Sequence, residues 1–148
     1  FAQFGKTGDR PLPSDYDSNR RSDIAVFRGG LWFVKYQNEL PLNTAQFGVT
    51  SDKPVPADYD GDRKTDYAVF RDGDWFVWES GTNSMKALHW GQSGDVPVPA
   101  DYDGDAKTDF AVYRQGIWYI LHSKDNRFTG LQFGLPTDIP IPAVYSRQ

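Results

Sequence analysis

The 148-residue chain has no cysteine, one methionine and two histidines. Without cysteine, disulfides, thiolate metal sites and cysteine nucleophiles are excluded, and the redox state of the protein's compartment leaves no mark on the sequence. His89 stands where sister segments carry glutamine and His122 lies in a polar connector, so a histidine-ligated catalytic metal is excluded as well. No apolar run approaches the ~18 residues of a membrane span, and no signal-peptide pattern is present. Basic residues number 16 against 20 acidic ones, for a net charge of −4 and a pI near 5.0. With no basic run or stripe, the charge balance argues against nucleic acid or anionic membrane as a partner. No segment shows helical periodicity.

What the chain does have is aspartate at fixed intervals. In Asp58-Tyr59-Asp60-Gly61-Asp62-Arg63-Lys64-Thr65-Asp66, carboxylates occupy positions 1, 3, 5 and 9 of a short loop. Such groups repel one another unless a cation sits among them. Ca²⁺ takes oxygens from carboxylates, a backbone carbonyl and water, and Gly61 is free to make the sharp bend. Lys64, at position 7, would offer only its carbonyl. The pattern returns as Asp101, Asp103, Asp105, Lys107 and Asp109, and in weaker form as Asp15, Asp17, Asn19, Arg21 and Asp23, with starts 43 residues apart. A fourth copy at Val144-Tyr145-Ser146 has lost its acidic side chains. Three Ca²⁺ sites are therefore expected. The first is expected to be weakest, because it has one carboxylate fewer and Ser18 where the others have glycine. Eleven of the 20 acidic residues lie in these loops, so three Ca²⁺ ions would turn −4 into +2. EF-hand loops share the acidic core but need a bidentate acid at position 12, where this chain has Val26, Val69 and Val112.

The loop belongs to a larger unit. Each copy opens on Pro-x-Pro (Pro11 and Pro13, Pro54 and Pro56, Pro97 and Pro99, Pro140 and Pro142), whose missing N–H groups face one side, so this first strand can only be an edge. After the loop comes a strand apolar on both faces (Ile24–Phe27, Tyr67–Phe70, Phe110–Tyr113), then a glycine turn, then Trp32-Phe33-Val34 and its counterparts at Trp75 and Trp118. A polar connector and a last strand ending in Gln46-Phe47-Gly48, His89-Trp90-Gly91 or Gln132-Phe133-Gly134 complete the unit. Arg28, Arg71 and Arg114 close the second strand, where antiparallel pairing predicts ion pairs with Asp9, Asp52 and Asp95. The tyrosine at loop position 2 persists as Tyr145 in the copy without ligands, so it is a packing residue. Four short antiparallel strands per ~43 residues with 16% aromatics describe an all-β chain of β-propeller-type blades. The expected units are 9–51, 52–94 and 95–137. Residues 1–8 would be the last strand of a preceding unit and 138–148 a partial unit.

Taken together, Gln-Phe-Gly, the Pro-x-Pro strand, the acidic loop, Ala-Val-Phe-Arg and Trp-Phe-Val resemble the FG-GAP (VCBS) repeats of bacterial extracellular proteins, over essentially the whole chain. The resemblance implies propeller blades like those of integrin α-subunits and some fungal lectins, with calcium held by the loop residues named above. A literal Gly-Ala-Pro is absent.

No nucleophile with a base and no open metal position is apparent, and metal-loop spacing accounts for the aspartates, so the chain is not expected to be an enzyme. A binding or adhesion module for a protein or glycan, extracellular or at the cell surface, is the leading reading, because such loops commonly need extracellular calcium levels and propellers present a broad loop face. Trp78 or Trp90 could stack on sugars in a lectin variant, or fill space between blades. The alternative is a structural, self-assembling segment. A propeller closes with about four to eight blades, so three units are expected to join upstream blades or another chain, and a start at Phe1 suggests a processed product or a fragment.

Overall fold

The computed structural model describes residues 3–36 and 42–141. The chain forms three four-stranded antiparallel sheets, and no helix is found among the described residues. The first sheet is ordered β1 (Arg10–Pro11), β2 (Ile24–Arg28), β3 (Leu31–Lys35) and β4 (Asn43–Gln46). The second comprises β5 (Lys53–Pro54), β6 (Tyr67–Arg71), β7 (Asp74–Glu79) and β8 (Ser84–His89). The third comprises β9 (Val96–Pro97), β10 (Phe110–Arg114), β11 (Ile117–Leu121) and β12 (Phe128–Gln132). Every sheet is an open meander with the proline strand at one edge, the arrangement of a propeller blade.

The prolines behave as their chemistry requires. Between them, Leu12, Val55 and Val98 each donate a backbone N–H to the alanine carbonyl of the neighbouring strand (Ala25, Ala68, Ala111) at 2.8–2.9 Å. Regular pairing ends at the first proline, and one isolated bridge follows in each unit, at Ser14–Asp23, Ala57–Asp66 and Ala100–Asp109. That bridge closes the acidic loop at its base.

The hairpin turns have positive φ at both central residues: Gly29 and Gly30, Asp72 and Gly73, Gln115 and Gly116. This backbone twist matches that of the flanking strands. The second turn residue has to be glycine for a further reason: a Cβ on Gly30 would lie 2.4 Å from the Gly48 carbonyl oxygen, and one on Gly73 2.8 Å from that of Gly91. The aromatic-Gly pair after each last strand (Phe47-Gly48, Trp90-Gly91, Phe133-Gly134) is thus docked against the turn. The indole N–H groups of Trp32, Trp75 and Trp118 fix it there, donating to the carbonyls of Phe47, Trp90 and Phe133 at 2.7–2.9 Å.

The second strand of each sheet is buried on both faces at its centre, as Ala68, Val69 and Phe70 show at 2% exposure or less. Between the second and third sheets, Tyr59 stacks on Phe110 with centroids 5.2 Å apart, and Trp75 meets the same ring edge-on. Between the first and second, Tyr16 and Tyr67 repeat the contact at 5.8 Å. The position-2 tyrosines therefore pack, and their hydroxyls donate to the carbonyls of Leu12, Val55 and Val98. Polar contacts follow the same period. Thr65 N–H donates to the Asp15 carbonyl and Thr108 N–H to that of Asp58, both at 2.8 Å, so each acidic loop is hydrogen-bonded to the next.

The predicted ion pairs are present. Arg28, Arg71 and Arg114 each reach Asp9, Asp52 and Asp95 respectively through Nε and Nη2, at 2.6–2.9 Å. The Arg28 side-chain hydrogen bonds hold the Asp9 carboxyl down to about 2. Each guanidinium also lies over an aromatic ring of the third strand, 4.6–5.1 Å from its centroid. Outside the three sheets, residues 3–9 and 133–141 carry no strand. They have no hairpin of their own to pair with. The connector at Gln37 and the copy at Val144 lie outside the described residues.

Candidate metal centres

Each acidic loop is shaped by its own carboxylates. Asp58 accepts from Gly61 N–H (2.6 Å) and Arg63 N–H (2.8 Å), and Asp101 accepts from Gly104 N–H (2.6 Å) and Ala106 N–H (3.0 Å). Position 3 accepts from the N–H of position 5 in all three loops. Position 5 accepts from position 7, so Arg21, Lys64 and Lys107 point backbone N–H groups at Asn19, Asp62 and Asp105. Position 9 is buried, with Asp23, Asp66 and Asp109 at 1% exposure or less. Each accepts from the backbone N–H of the position-2 tyrosine at 2.9 Å.

This winding needs left-handed backbone twice per loop. Position 4 has φ of +65° at Ser18, +84° at Gly61 and +81° at Gly104; position 6 has +67° at Arg20, +70° at Arg63 and +70° at Ala106. The bend expected at Gly61 is therefore left-handed, and Ser18 adopts it at the roughly 1–2 kcal/mol that a side chain costs there. The second left-handed position was not legible, because no glycine marks it.

Carboxylate oxygens gather in every loop, one from each contributing residue, all within 4.8 Å of one another. The groups are Asp15, Asp17 and Asp23 in the first loop, Asp58, Asp60 and Asp62 in the second, and Asp101, Asp103 and Asp105 in the third. Asp66 is not part of the second group. It is held behind it by Tyr59 N–H and by Ser80 N–H at 2.7 Å. Burial raises the Asp66 carboxyl to about 6 and also pushes Asp58 up, with neighbouring carboxylates adding to both. A cation among these oxygens would relieve both effects. In the first loop Asn19 Nδ2 donates to Asp17 Oδ2 at 2.8 Å, so the neutral side chain occupies an oxygen that an ion would use.

The connector after the third strand folds over the loop, a contribution that sequence reasoning did not include. Ser80 Oγ donates to Asp62 Oδ2 (3.0 Å), and Gly81 N–H donates to Asp60 Oδ2 (2.9 Å). A Cβ on Gly81 would stand 2.8 Å from that oxygen. In the third unit Ser123 N–H donates to Asp109 Oδ1 at 2.7 Å, and its neighbour His122 is drawn in beside the carboxylates. Although it lies in a polar connector, His122 is 4% exposed. The recurrence of serine 43 residues apart was the available signal.

Of the two tryptophans considered for sugar stacking, Trp78 is 37% exposed. Trp90 is partly buried, and its indole N–H donates to the Tyr119 carbonyl of the next sheet at 3.1 Å. No helix among the described residues is long and apolar enough to cross a membrane. Comparison with protein-family models, curated proteins and solved structures finds no match to the chain.

Proposed function

We propose that the chain is a calcium-stabilised, extracellular repeat module of the FG-GAP (VCBS) type, serving as a binding or adhesion domain for a protein or glycan ligand and carrying no catalysis. The observation behind this reading is the convergence, in all three units, of at least three carboxylate oxygens on one small space walled by backbone N–H groups. Oxygen donors of this kind suit Ca²⁺, and position 7 can add its carbonyl. The ion is then a structural part of the loop, tying positions 1, 3 and 5 together in the second and third loops and positions 1, 3 and 9 in the first. Loop-to-loop hydrogen bonds at Thr65 and Thr108 pass that order to the next unit. What results is a rigid body with a face of loops, suited to recognition. The exposed Trp78 supports the glycan variant, which a glycan array tests.

Calorimetric titration with Ca²⁺ is the direct experiment, followed by melts with and without chelator. Three sites are expected, with the first loop weakest, since Asn19 brings no charge and ties up Asp17. Stability gained is RT ln(1 + [L]/Kd) per site, about 2.7 kcal/mol at a hundredfold excess over Kd. Equal affinities refute the ranking. An unchanged melting temperature after verified calcium removal refutes the structural role.

The alternative, a self-assembling segment, draws on the two ends. Tyr16 and Tyr59, which meet a following unit, are 1% and 3% exposed, whereas Tyr102, at the end of the series, is 36% exposed. At the opposite end Ile24 occupies the place of Tyr67 and Phe110 and is 54% exposed. These are the two halves of a repeated contact, and a head-to-tail neighbour would join them.

A further inference from the structure

His122 is a buried polar group beside the third loop that the calcium reading does not use. Its side chain is 5% exposed, and its Nδ1 is buried without a hydrogen-bond partner. That nitrogen lies 3.3 Å from Asp109 Oδ2 and 3.5 Å from Asp103 Oδ2. Neither contact has hydrogen-bond geometry, so the two oxygens flank the nitrogen and do not accept from it. The other ring nitrogen is engaged: Nε2 is 2.9 Å from Thr129 Oγ1. Arg127 Nη1 donates to the same hydroxyl oxygen at 3.4 Å, and that oxygen keeps a second lone pair able to accept from Nε2–H. An imidazole donating through Nε2–H carries a bare lone pair on Nδ1. This is how proteins orient a metal-binding histidine, with the distal N–H anchored and the near nitrogen free.

The spacing fits an ion. With metal–nitrogen and metal–oxygen bonds of about 2.0–2.1 Å, two ligands at the tetrahedral angle stand about 3.3–3.4 Å apart. The observed 3.3 Å matches such an edge, and 3.5 Å is within about 0.2 Å of it. One oxygen each from Asp103 and Asp109 and the His122 nitrogen all lie within 4.8 Å of one another. Asp109 is itself held in place by Tyr102 N–H and Ser123 N–H. Three protein ligands leave a fourth position for water.

We propose that the third loop is a mixed nitrogen–oxygen centre in which His122 Nδ1, Asp103 and Asp109 bind a divalent cation of the zinc class in preference to calcium. Imidazole nitrogen suits zinc, cobalt and nickel, whereas calcium takes oxygen. The preference belongs to this unit alone. The register, carried one step past the pairs Phe110–Leu121, Tyr67–Trp78 and Ile24–Lys35, sets residue 122 opposite 109 and brings Glu79 in the second unit and Tyr36 in the first to the same place. Asp103 belongs both to this centre and to the group with Asp101 and Asp105, so the two ions compete for it. The inference rests on the reading that these loops are ion sites, and it differs from that reading in the ion at the third.

The test is Zn²⁺ titration of the calcium-saturated chain at neutral pH, read by calorimetry and by the nitrogen resonances of the two histidine rings. One Zn²⁺ per chain is expected, displacing one Ca²⁺. The His122 Nδ1 resonance moves to that of a ligand, Nε2 stays protonated, and the His89 ring is unchanged. Removing a group that merely orients a ligand typically costs about 10–100-fold in metal affinity, so His122→Gln, which removes the ligand, is expected to cost more than about a hundredfold. His89→Gln, which installs the residue of the sister units, leaves zinc affinity unchanged. Zinc bound equally well by His122→Gln, or an unmoved His122 ring, overturns the proposal and leaves His122 as an ion-pair partner of Asp103 and Asp109 only. The ring measurement on the unaltered chain stands even where the variant does not fold. Absence of calcium binding at the first two loops defeats the calcium reading without moving the His122 signal, so the two failures are distinguishable.

Discussion

The Arg71–Asp52 pair provides a quantitative test of how the units are joined. Asp52 is fully buried, whereas the Arg71 side chain is 40% exposed. Both carboxylate oxygens are engaged by Arg71, at 2.6 and 2.9 Å, and Oδ2 also accepts from Val49 N–H at 2.8 Å. The Asp52 carbonyl receives Arg10 Nη1 from the preceding unit at 3.0 Å, so the residue connects two sheets. Two substitutions break the pair unequally. Asp52→Ala strands a guanidinium that can turn to water, and leaves Val49 N–H, on a half-exposed residue, to find solvent. The expected loss is about 2 kcal/mol, the low end for charge-assisted bonds, reduced for screening on the exposed partner. Arg71→Met keeps aliphatic packing on Phe76 but leaves a carboxylate in a site with no access to water. Stranding a buried charge costs about 3–5 kcal/mol. At about 2–4 °C per kcal/mol for a chain of this size, the expected falls in melting temperature are roughly 4–8 °C for Asp52→Ala and roughly 6–20 °C for Arg71→Met. Calorimetric melts at fixed calcium measure both. Equal losses, or a larger loss for Asp52→Ala, refute the assignment of Asp52 as the buried, dependent partner.

Two further outcomes follow from the ends of the chain and from its first ion pair. If Tyr102 and Ile24 are halves of one interface, sedimentation shows concentration-dependent association that Tyr102→Ser abolishes; a compact monomer at all concentrations refutes the self-assembly reading. Asp9 is held at about 2 against an ordinary 3.8, so its contribution to stability is complete above 3.8 and is lost as pH falls through about 2. A carboxyl-carbon titration should show that midpoint, and should show it return to the ordinary value in Arg28→Met; a wild-type midpoint near 3.8 refutes the pairing in solution.

How much of this was legible depended on how far apart in the chain the partners lie and whether a residue type marks the feature. Paired prolines marked the edge strand because a missing donor has one structural meaning, and the glycine turns marked the hairpins because L-residues resist their backbone angles. The Arg–Asp pairs followed from antiparallel geometry alone. Features without such a mark were missed. The second left-handed residue of each loop is arginine or alanine, and nothing in those names signals a positive φ. The clamp by Ser80 and Gly81 crosses from a connector to a loop, a tertiary contact with no local signature.

His122 is the instructive case, because the information needed was present. Once Phe110–Tyr113 and Trp118–Ile120 are accepted as a hairpin with a two-residue turn at Gln115 and Gly116, the register is fixed: residues 114 and 117 face each other, and 110 faces 121. One step further along the same ladder sets 122 opposite 109, which is loop position 9. Applied to the other units, the step sets Glu79 opposite Asp66 and Tyr36 opposite Asp23. The residue at the end of the third strand is therefore a neighbour of the acidic loop in every unit, and it varies through tyrosine, glutamate and histidine while the carboxylate it faces does not. A nine-residue motif describes only the contiguous part of such a centre. The hairpin supplies the rest, and in the third unit it replaces a phenol or a carboxylate with an imidazole whose free nitrogen is turned toward two aspartates.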